Sequence, residues 1–482
     1  MLKNQYFKEK QKRFDMDSQH FEVLVVGAGP GGYTAAIRAA QLGKRVAIVE
    51  EQYWGGVCLN IGCVPSKSLI YSAQLVQAFK NDAKEHGIHV EGEVSYDFQA
   101  AFHRSRSVAD GRVKGIHYLM KKNGITELNG RGTFTSPHAM DLAHADGERQ
   151  TLSFDHAIIA VGAETRLLPG TTLSDRVVTY KEQILSPTLP KNIVIAGAGA
   201  IGVEFAYVMT SYGVKVTLVE FADRIVPLED PDVSKELTKR YRKMGIDIRT
   251  ATKVTAVEEN STEVAVTLSK GESSEVVRAE KLLQATGFTP RVAGYGLENT
   301  GVSLTHRGAI DIDDQMRTNV PHIYAIGDVT SKLMLAHAAE AMALVAAEAL
   351  SGEPTQPLDY LMMPRATYSN PQIASFGYTE NGSSPDASEV KRTIFPFVAN
   401  AKAHAVGEPG GFVKLLTDSR NGRLLGAHMI GPDVTELLPE LTLARQENLT
   451  VNQLARNIHA HPTLSEAVKE ALHGAAGQSI NI

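Results

Sequence analysis

The sequence predicts an α/β protein built around a strand–helix–strand unit that occurs twice, and three observations support this. The chain has 482 residues, of which 43% are hydrophobic, enough for about three domains at roughly 100–200 residues per domain. Residues 23–50 and 193–220 share one pattern at a constant offset. In both, an apolar strand is followed by G-x-G-x-x-G, a helical pattern and a second apolar strand that ends in Glu.

The first copy reads VLVVGAGPGGYTAAIRAAQLGKRVAIVE, with Gly27, Gly29, Gly32 and Glu50 as its landmarks. The first glycine permits a tight turn, the second lets the backbone approach a pyrophosphate, and the third lets helix and strand pack closely. The helix N-terminus then faces the phosphates, and the acidic residue accepts hydrogen bonds from a ribose. A glycine-rich turn without a ligand is the alternative. Two copies in full strand and helix context favour two Rossmann-like dinucleotide-binding domains.

The second copy reads IVIAGAGAIGVEFAYVMTSYGVKVTLVE, with Gly197, Gly199, Gly202 and Glu220 at the matching positions. A carboxylate suits a free ribose 2′-hydroxyl and repels a 2′-phosphate, so Glu220 predicts NAD rather than NADP. Arg224 follows closely but need not reach that position. Two such sites suggest one tightly held flavin and one exchanging nicotinamide.

The chain contains two cysteines, Cys58 and Cys63, in the stretch GGVCLNIGCVPSK that follows the first copy. In a regular helix, residues five apart have Cα atoms about 8.6 Å apart, whereas a disulfide needs roughly 4.4–6.8 Å. Either the two cysteines do not pair, or the chain is distorted, which the local glycines and Pro65 permit. A strained disulfide is easily reduced and suits catalysis. The alternative is that the cysteines are two buried structural thiols. A metal site is not indicated, because no Cys/His cluster surrounds the pair.

Composition excludes several classes of function. The net charge of −5 without a Lys/Arg block predicts no nucleic-acid surface. The chain has no run of 18 apolar residues that would suggest a membrane span, and no secretory signal is apparent, so we expect a cytoplasmic protein.

We expect residues 1–19 to form a flexible tail, with Met16 as an alternative initiator, and residues 381–389 (NGSSPDASE) to form an exposed polar loop.

The cysteine segment resembles the redox-active segment of the flavoprotein disulfide reductases. The resemblance covers almost the whole chain after about residue 20, and four further segments carry it: TNVPHIYAIGDVT (318–330), LAHAAEA (335–341), PRATYSNPQIASFGYTE (364–380) and HAHPTLSEAVKEALHG (459–474). One departure is NAKAHAVGE (400–408), which looks like a loop longer than usual.

The resemblance implies FAD at the first site and NAD at the second. It also implies four domains after the tail: an FAD-binding domain (20–165), an NAD-binding domain (166–288), a central domain that completes the FAD site (289–360) and a C-terminal α+β interface domain (361–482) that forms a homodimer.

The resemblance further implies distinct catalytic roles. Cys58 is the interchange cysteine, and Cys63 is the thiolate beside the flavin. His461 is the base for a dithiol substrate, since imidazole is poised to take a proton near neutral pH, and Glu466 orients it. Taken alone, a histidine is more often a surface or packing residue, and His459 is given no role.

The remaining cofactor contacts also come from the resemblance. Lys67 is expected near the flavin and paired with Glu204, although each alone could be an ordinary charge on a helix surface. Asp328 is expected on the ribityl hydroxyls, although Gly-Asp after a strand is commonly a turn. Ala336 and Gly287 are expected to complete the cofactor contacts.

The substrate implied is a protein-bound dihydrolipoyl group. The expected partner is the lipoyl-bearing acyltransferase of a 2-oxo acid dehydrogenase complex, or the lipoyl protein of glycine cleavage. One alternative is a mycothiol- or glutathione-type disulfide reductase. A mercuric reductase is disfavoured by Glu220 and by the lack of a C-terminal cysteine pair. A non-catalytic docking subunit is disfavoured by the complete Cys, His and Glu set.

Overall fold

The structure is a computed structural model that describes residues 18–380, 382 and 389–481. Met16, the tail as far as residue 17 and most of the expected loop at 381–389 lie outside the described residues. Ser18 and Gln19, assigned to the tail from the sequence, belong to the first strand.

The strands and helices follow in chain order. The strands are β1 (Ser18–Val26), β2 (Val46–Glu50), β3 (Thr126–Asn129), β4 (Arg131–Ser136), β5 (Ala139–Ala143), β6 (Arg149–Ile159), β7 (Ala163–Thr165), β8 (Val177–Thr179), β9 (Asn192–Ala196), β10 (Lys215–Val219), β11 (Asp247–Arg249), β12 (Lys253–Glu259), β13 (Val264–Lys270), β14 (Ser273–Ala279), β15 (Lys281–Gln284), β16 (Phe288–Pro290), β17 (Ile323–Ala325), β18 (Arg365–Thr367), β19 (Gln372–Gly377), β20 (Val390–Pro396), β21 (Phe412–Asp418) and β22 (Leu424–Gly431). The α-helices are α1 (Pro30–Gln41), α2 (Gly56–Asn60), α3 (Cys63–Gln77), α4 (Phe98–Lys122), α5 (Tyr180–Ile184), α6 (Ala200–Ser211), α7 (Pro231–Lys243), α8 (Ala336–Leu350), α9 (Ala401–Ala405), α10 (Val434–Gln446), α11 (Val451–Leu454) and α12 (Glu466–Ala475).

The chain divides into two compact units, each made of three segments. Of the described residues, the first unit comprises 18–65, 105–166 and 287–360, and the second comprises 66–104, 167–286 and those from 361 onward. The four domain boundaries expected from the resemblance stay a prediction.

The first unit is organised around a seven-stranded sheet of order β3-β2-β1-β6-β5-β4, with β17 also paired to β6. Strands β3, β2, β1, β6 and β17 are parallel, and β4 and β5 join antiparallel. The sequence VAIVE of β2 is almost entirely buried, as expected for a parallel strand covered on both faces. Helices α1 and α8 pack against each other on this sheet.

The second unit contains three sheets. A parallel sheet has the order β11-β10-β9-β15-β8, a small antiparallel sheet the order β12-β13-β14, and a C-terminal antiparallel sheet the order β18-β19-β22-β21-β20. Helices α10 and α12 pack on the C-terminal sheet and bury their apolar faces in its core.

The segment 400–408 is not simply a loop, because Asn400 accepts a hydrogen bond from the Ala403 N–H and caps the start of helix α9.

Both parallel sheets have a point where the strand order reverses, between β1 and β6 in the first unit and between β9 and β15 in the second. Ligands of such sheets bind beyond the carboxyl ends of the strands at this point. Gly27 follows β1 and Gly197 follows β9, so both glycine motifs lie where a dinucleotide would bind. The predicted α/β fold class, with two Rossmann-like units and a C-terminal α+β part, is confirmed. No helix in the described part of the chain is long and apolar enough to cross a membrane.

Candidate active site

The first glycine motif forms a turn that leaves no room for side chains. Gly27 has a φ of +101°, and a Cβ there would lie 2.4 Å from the Ala160 carbonyl oxygen. A Cβ on Gly32 would lie 1.8 Å from the Gly27 carbonyl oxygen. Glu50 closes the motif, because its Oε2 accepts a hydrogen bond of 2.7 Å from the Ala28 N–H. These close approaches are what a backbone cradle for a pyrophosphate requires.

The two cysteines lie on different helices. Cys58 is the central residue of α2, Cys63 is the first residue of α3, and Ile61 and Gly62 separate the two helices. The regular-helix distance therefore does not apply, because the chain breaks between the two cysteines; a disulfide between them stays a prediction. A Cβ on Gly62 would lie 3.3 Å from the Cys58 Cα, so glycine at this break allows the chain to turn tightly against α2.

The cysteine segment packs directly on the first glycine motif. Gly56, the first residue of α2, has a φ of +66°, and a Cβ there would lie 2.5 Å from the Gly29 Cα. The Gly55 N–H donates to the Ala28 carbonyl oxygen at 2.9 Å. Cys58 is thus two residues from a backbone contact with the expected pyrophosphate turn.

Asp328 lies in a 3₁₀ turn, Gly327–Thr330, directly after β17. Burial raises the pKa of its carboxyl from the ordinary value of 3.8 to about 6. Among the described residues no side chain or backbone N–H donates to this carboxylate. A half-buried carboxylate without protein donors fits the hydroxyl groups of a bound polyol.

Two elements of the first unit, α1 and the 3₁₀ turn after β17, meet Ala339 of α8. A Cβ on Gly31 of α1 would lie 3.2 Å from the Ala339 Cβ, and a Cβ on Gly327 would lie at the same distance. Ala336 is the first residue of α8. This packing holds Asp328, Ala336 and the start of α1 in fixed positions.

The second glycine motif reproduces the first in detail. Gly197 has a φ of +102°, and a Cβ there would lie 2.3 Å from the Ala285 carbonyl oxygen. A Cβ on Gly202 would lie 1.9 Å from the Gly197 carbonyl oxygen. Glu220 Oε2 accepts a hydrogen bond of 2.8 Å from the Ala198 N–H.

Two further residues bear on the predicted cofactor contacts. The Arg224 guanidinium donates to Asp223 and to the Pro227 carbonyl oxygen, each at 3.2 Å, so it is held within its own loop. Gly287 lies beyond β15 with a φ of +98°, a conformation that favours glycine. Gly199 is the residue before α6, and a Cβ there would meet nothing within 4 Å among the described residues.

Lys67 and Glu204 form an ion pair. Lys67 Nζ donates to both carboxylate oxygens of Glu204, at 2.9 and 3.1 Å. Glu204 is 7% exposed, so it is not an ordinary surface charge. Tyr368 contacts both partners: its N–H donates to Glu204 Oε1 at 2.9 Å, and Lys67 Nζ lies 4.5 Å from the centre of its ring.

His461 and Glu466 also form a pair. His461 Nδ1 lies 3.1 and 3.2 Å from the two oxygens of Glu466. The imidazole is 71% exposed, which disfavours a packing role. Burial opposes ionisation of Glu466, but hydrogen bonds from the Thr463 N–H and from His461 hold the pKa of its carboxyl below the usual range. An ionised Glu466 selects the tautomer with the proton on Nδ1 and leaves Nε2 as an acceptor.

His459 differs from its neighbour. Its side chain is almost fully buried, and Nε2 lies 2.9 Å from Glu440.

An acidic cluster of Asp230, Asp232 and Glu380 has spacing suitable for a cation, but the Lys414 ammonium bonds to all three residues. The lysine supplies the positive charge there.

The structure thus assembles the predicted residues in groups. The first unit brings the first motif together with the cysteine segment, and holds Asp328 and Ala336 at one end of α8. The second unit pairs Lys67 with Glu204 and His461 with Glu466. Sequence reasoning gave no site role to Ala339 and Tyr368, which pack on predicted residues, and it did not foresee the contact of Gly56 with Gly29. Tyr368 lies within a motif that carried the resemblance, whereas no local pattern marks Ala339.

The residues present fit the two expected dinucleotides. Each glycine turn is a cradle that a Cβ would fill, and each ends at a carboxylate suited to a ribose. At the first motif, Asp328 offers an acceptor for ligand hydroxyls. At the second motif, no described basic side chain bonds to Glu220, which suits an unphosphorylated ribose.

Comparison with known proteins assigns the class. Residues 21–343 match the model of the pyridine nucleotide-disulphide oxidoreductases, and residues 363–472 match the dimerisation domain of the same enzymes. The chain belongs to this family of oxidoreductases, as the sequence predicted. The family and its named relatives imply FAD and NAD(H) as cofactors, in agreement with the cofactors expected from the sequence.

Individual relatives and solved structures show which members of the family the chain is similar to. The chain is 57% identical over 463 residues to a dihydrolipoyl dehydrogenase of Mycobacterium tuberculosis, covering 96% of this chain and 99% of the relative. It is 52% identical over 470 residues to that of Corynebacterium glutamicum, covering 96% and 100%. The crystal structure of LpdA from M. tuberculosis matches with a TM-score of 0.87 at 27% identity, covering 94% and 99%. The HOCl-induced flavoprotein disulfide reductase RclA of Escherichia coli matches with a TM-score of 0.82 at 26% identity over the same shares.

Proposed function

We propose that this chain is a dihydrolipoyl dehydrogenase that catalyses dihydrolipoamide + NAD⁺ → lipoamide + NADH + H⁺. The observation that carries the proposal is the packing of the cysteine segment on the first glycine motif, where the Gly56 position meets the Gly29 Cα. A redox pair built onto a dinucleotide cradle is suited to passing electrons to the bound nucleotide. The full-length similarity to dihydrolipoyl dehydrogenases supports the substrate.

The first proposed step is proton removal by His461. Its Nε2 takes the proton of one substrate thiol, since thiolates and not thiols attack disulfides. Glu466 holds the ring through Nδ1 and stabilises the imidazolium that forms. In the proposed homodimer, His461 of one protomer serves the cysteines of its partner.

The second proposed step is disulfide exchange. The substrate thiolate attacks Cys58 Sγ, the Cys58–Cys63 bond breaks, and Cys63 leaves as a thiolate. Cys63 is the first residue of the fifteen-residue helix α3, whose N-terminal dipole favours the negative charge. The second substrate thiol, once deprotonated, attacks the mixed disulfide, releases Cys58 and closes the lipoamide ring.

The remaining electron transfer belongs to the cofactors. Bound FAD supplies a two-electron path from the reduced cysteine pair to NAD⁺. For this reaction the chain contributes Lys67, whose ammonium would stabilise negative charge on the flavin, and Glu204, which holds Lys67. Asp328, Ala336 and the first motif would bind FAD, and the second motif with Gly287 would bind NAD.

The proposed partner is a lipoyl-bearing acyltransferase of a 2-oxo acid dehydrogenase complex, or the lipoyl protein of glycine cleavage. The match to the dimerisation domain over residues 363–472 supports a homodimer. We propose the cytoplasm as its compartment, as expected from the sequence.

The test is a substrate panel with the purified FAD-loaded protein. We expect fast NADH formation from dihydrolipoamide and NAD⁺, and little product with NADP⁺. Glutathione and mycothiol disulfides, offered with NADH or NADPH, should be poor substrates. Preference for either disulfide would contradict the proposal and assign the chain to thiol defence.

A variant pair sharpens the panel. His461→Gln should lower turnover by at least about a hundredfold, within the range for lost general base catalysis, while flavin content stays unchanged. His306→Gln is the matched control, because His306 is an exposed histidine outside both glycine motifs. Equal turnover in the two variants would remove the role of His461.

A further inference from the structure

Tyr368 touches both members of the Lys67–Glu204 pair through different parts of the residue. Its backbone N–H donates to Glu204 Oε1 at 2.9 Å. The face of its ring lies 4.5 Å from Lys67 Nζ. The backbone contact does not depend on the side chain, but the ring contact does.

The surroundings hold Tyr368 in this position. It follows β18 directly, and β18 pairs with β19 through Thr367 and Ile373. The next residue, Ser369, is fully buried and its hydroxyl donates to the Pro371 carbonyl oxygen at 2.9 Å. The ring is therefore presented by a segment anchored on both sides.

Glu204 is held from a second direction. Tyr241 is fully buried on α7, and its hydroxyl donates to the carbonyl oxygen of Val203 at 2.8 Å. This bond fixes α6 at the residue before Glu204. The carboxylate of Glu204 thus has a fixed position, against which the Lys67 ammonium is placed.

We propose that Tyr368 is a positioning residue that holds the Lys67 ammonium on Glu204 through a cation–π contact. A cation within about 6 Å of an aromatic ring face is attracted to it, and the attraction strengthens where water is excluded. The Lys67 side chain is 34% exposed, and the ring face beside the ammonium opposes its turning to solvent. The cation–π contact is argued from the geometry alone, whereas its effect on turnover rests on the proposed function.

The test compares Tyr368→Phe, which keeps the ring face, with Tyr368→Leu, which removes it. The first readout is independent of turnover: trace acetylation of lysines with acetic anhydride, followed by mass spectrometry of the Lys67 peptide. We expect labelling of Lys67 to rise several-fold in Tyr368→Leu relative to Lys235, an internal reference, and to stay unchanged in Tyr368→Phe. Tyr118→Leu is the control, because Tyr118 is an exposed tyrosine on α4.

The second readout is steady-state kinetics with dihydrolipoamide and NAD⁺. Tyr368→Leu should lower kcat by about tenfold, the size of a partly desolvated cation–π contact, with flavin content and the KM for dihydrolipoamide unchanged. Tyr368→Phe should restore kcat to near the wild-type value. Lower kcat without a change in Lys67 labelling would show a merely structural role and overturn the proposal.

The outcomes also separate this inference from the proposed function. Unchanged Lys67 labelling in Tyr368→Leu overturns the positioning role whatever the substrate. Increased labelling in a protein whose wild type does not oxidise dihydrolipoamide supports the positioning role and contradicts the proposed function.

Discussion

The two glycine motifs have nearly the same backbone but different surroundings. Gly27 and Gly197 have φ values of +101° and +102°. The hydrogen bond that each terminal glutamate accepts from the N–H after the first glycine measures 2.7 Å in the first motif and 2.8 Å in the second. Local sequence therefore determines the turn almost completely, independently of the sheet that carries it.

The residues between these landmarks differ. Gly31 in the first motif corresponds to Ile201 in the second. A side chain at Gly31 would press on Ala339 of α8 at 3.2 Å, so the first motif needs glycine where another helix covers it. Gly56 of the cysteine segment covers the same motif at Gly29.

The residue after the terminal glutamate is also packed against its neighbours in the first motif and exposed in the second. Glu51 is bound by Arg131, Arg291 and the Tyr295 hydroxyl. At the matching position Phe221 is 75% exposed. The first motif is thus enclosed by its own unit and the second is open within its own, which suits a resident FAD and an exchanging NAD. Four predictions test this difference.

The largest effect is expected from filling the third glycine of each motif. Gly32→Ala would place a Cβ 1.8 Å from a carbonyl oxygen, and Gly202→Ala would place one at 1.9 Å. Each should cost about 3 kcal/mol or more, since backbone must move. Gly32→Ala should abolish flavin retention, whereas Gly202→Ala should keep flavin and lose NAD binding.

Flavin absorbance after desalting and NAD titration measure the two results. Gly115→Ala is the control, because a Cβ at this helical position meets nothing within 4 Å among the described residues. Loss of flavin in both motif variants would contradict the division between the sites.

The next effect is on cofactor choice. Glu220→Gln removes the charge that repels a 2′-phosphate, and should lower the ratio of kcat/KM for NAD⁺ over NADP⁺ by roughly 30-fold, about 2 kcal/mol. Glu50→Gln should leave this ratio unchanged and weaken FAD retention instead. A shifted ratio in Glu50→Gln would contradict the assignment of the two sites.

A pH-dependent effect is expected at Asp328 in the flavin-free protein. Its folded pKa, about 6 instead of 3.8, means that the folded protein binds the proton more tightly than the unfolded chain. The stabilisation is fully present below about pH 3.8 and is lost as the pH rises through about 6. Asp328→Asn should therefore raise stability by about 2 kcal/mol at pH 8 and by little near pH 4.

Thermal unfolding of the flavin-free variant at both pH values measures this gain. The same variant should bind FAD more weakly, because it loses a charged acceptor for ligand hydroxyls. Tighter FAD binding would contradict the proposed role of Asp328.

The smallest effect compares the residues after the terminal glutamates. Glu51→Ala should lower stability by about 1 kcal/mol, because it leaves Arg131 and Arg291 without their shared carboxylate. Phe221→Ala should leave the stability of the NAD-free protein unchanged, because the ring is mostly exposed. Chemical denaturation separates the two, and equal losses would show that the second motif is as tightly packed as the first.

Much of this site was predictable because its signals are local. The glycine turns with Glu50 and Glu220 follow from spacing alone. Lys67 and Glu204 are far apart in sequence, and only the resemblance linked them.

Long-range packing was not predictable in the same way. Nothing in the sequence places Ala339 against two glycines from different segments. The cysteine geometry could not be settled, since a break between α2 and α3 defeats any calculation for a regular helix. Segment 400–408 was misread as a loop because the short helix after Asn400 is too brief to show periodicity.

One measurement tests the account most directly. The protein is freed of loosely bound nucleotides by desalting under anaerobic conditions, its flavin content is measured, and dihydrolipoamide is added with NAD⁺ or NADP⁺. We predict about one retained flavin per chain, no retained nicotinamide, and rapid NADH formation without comparable NADPH formation. Retained nicotinamide with lost flavin, or an equal rate with NADP⁺, would contradict the division of labour between the two motifs.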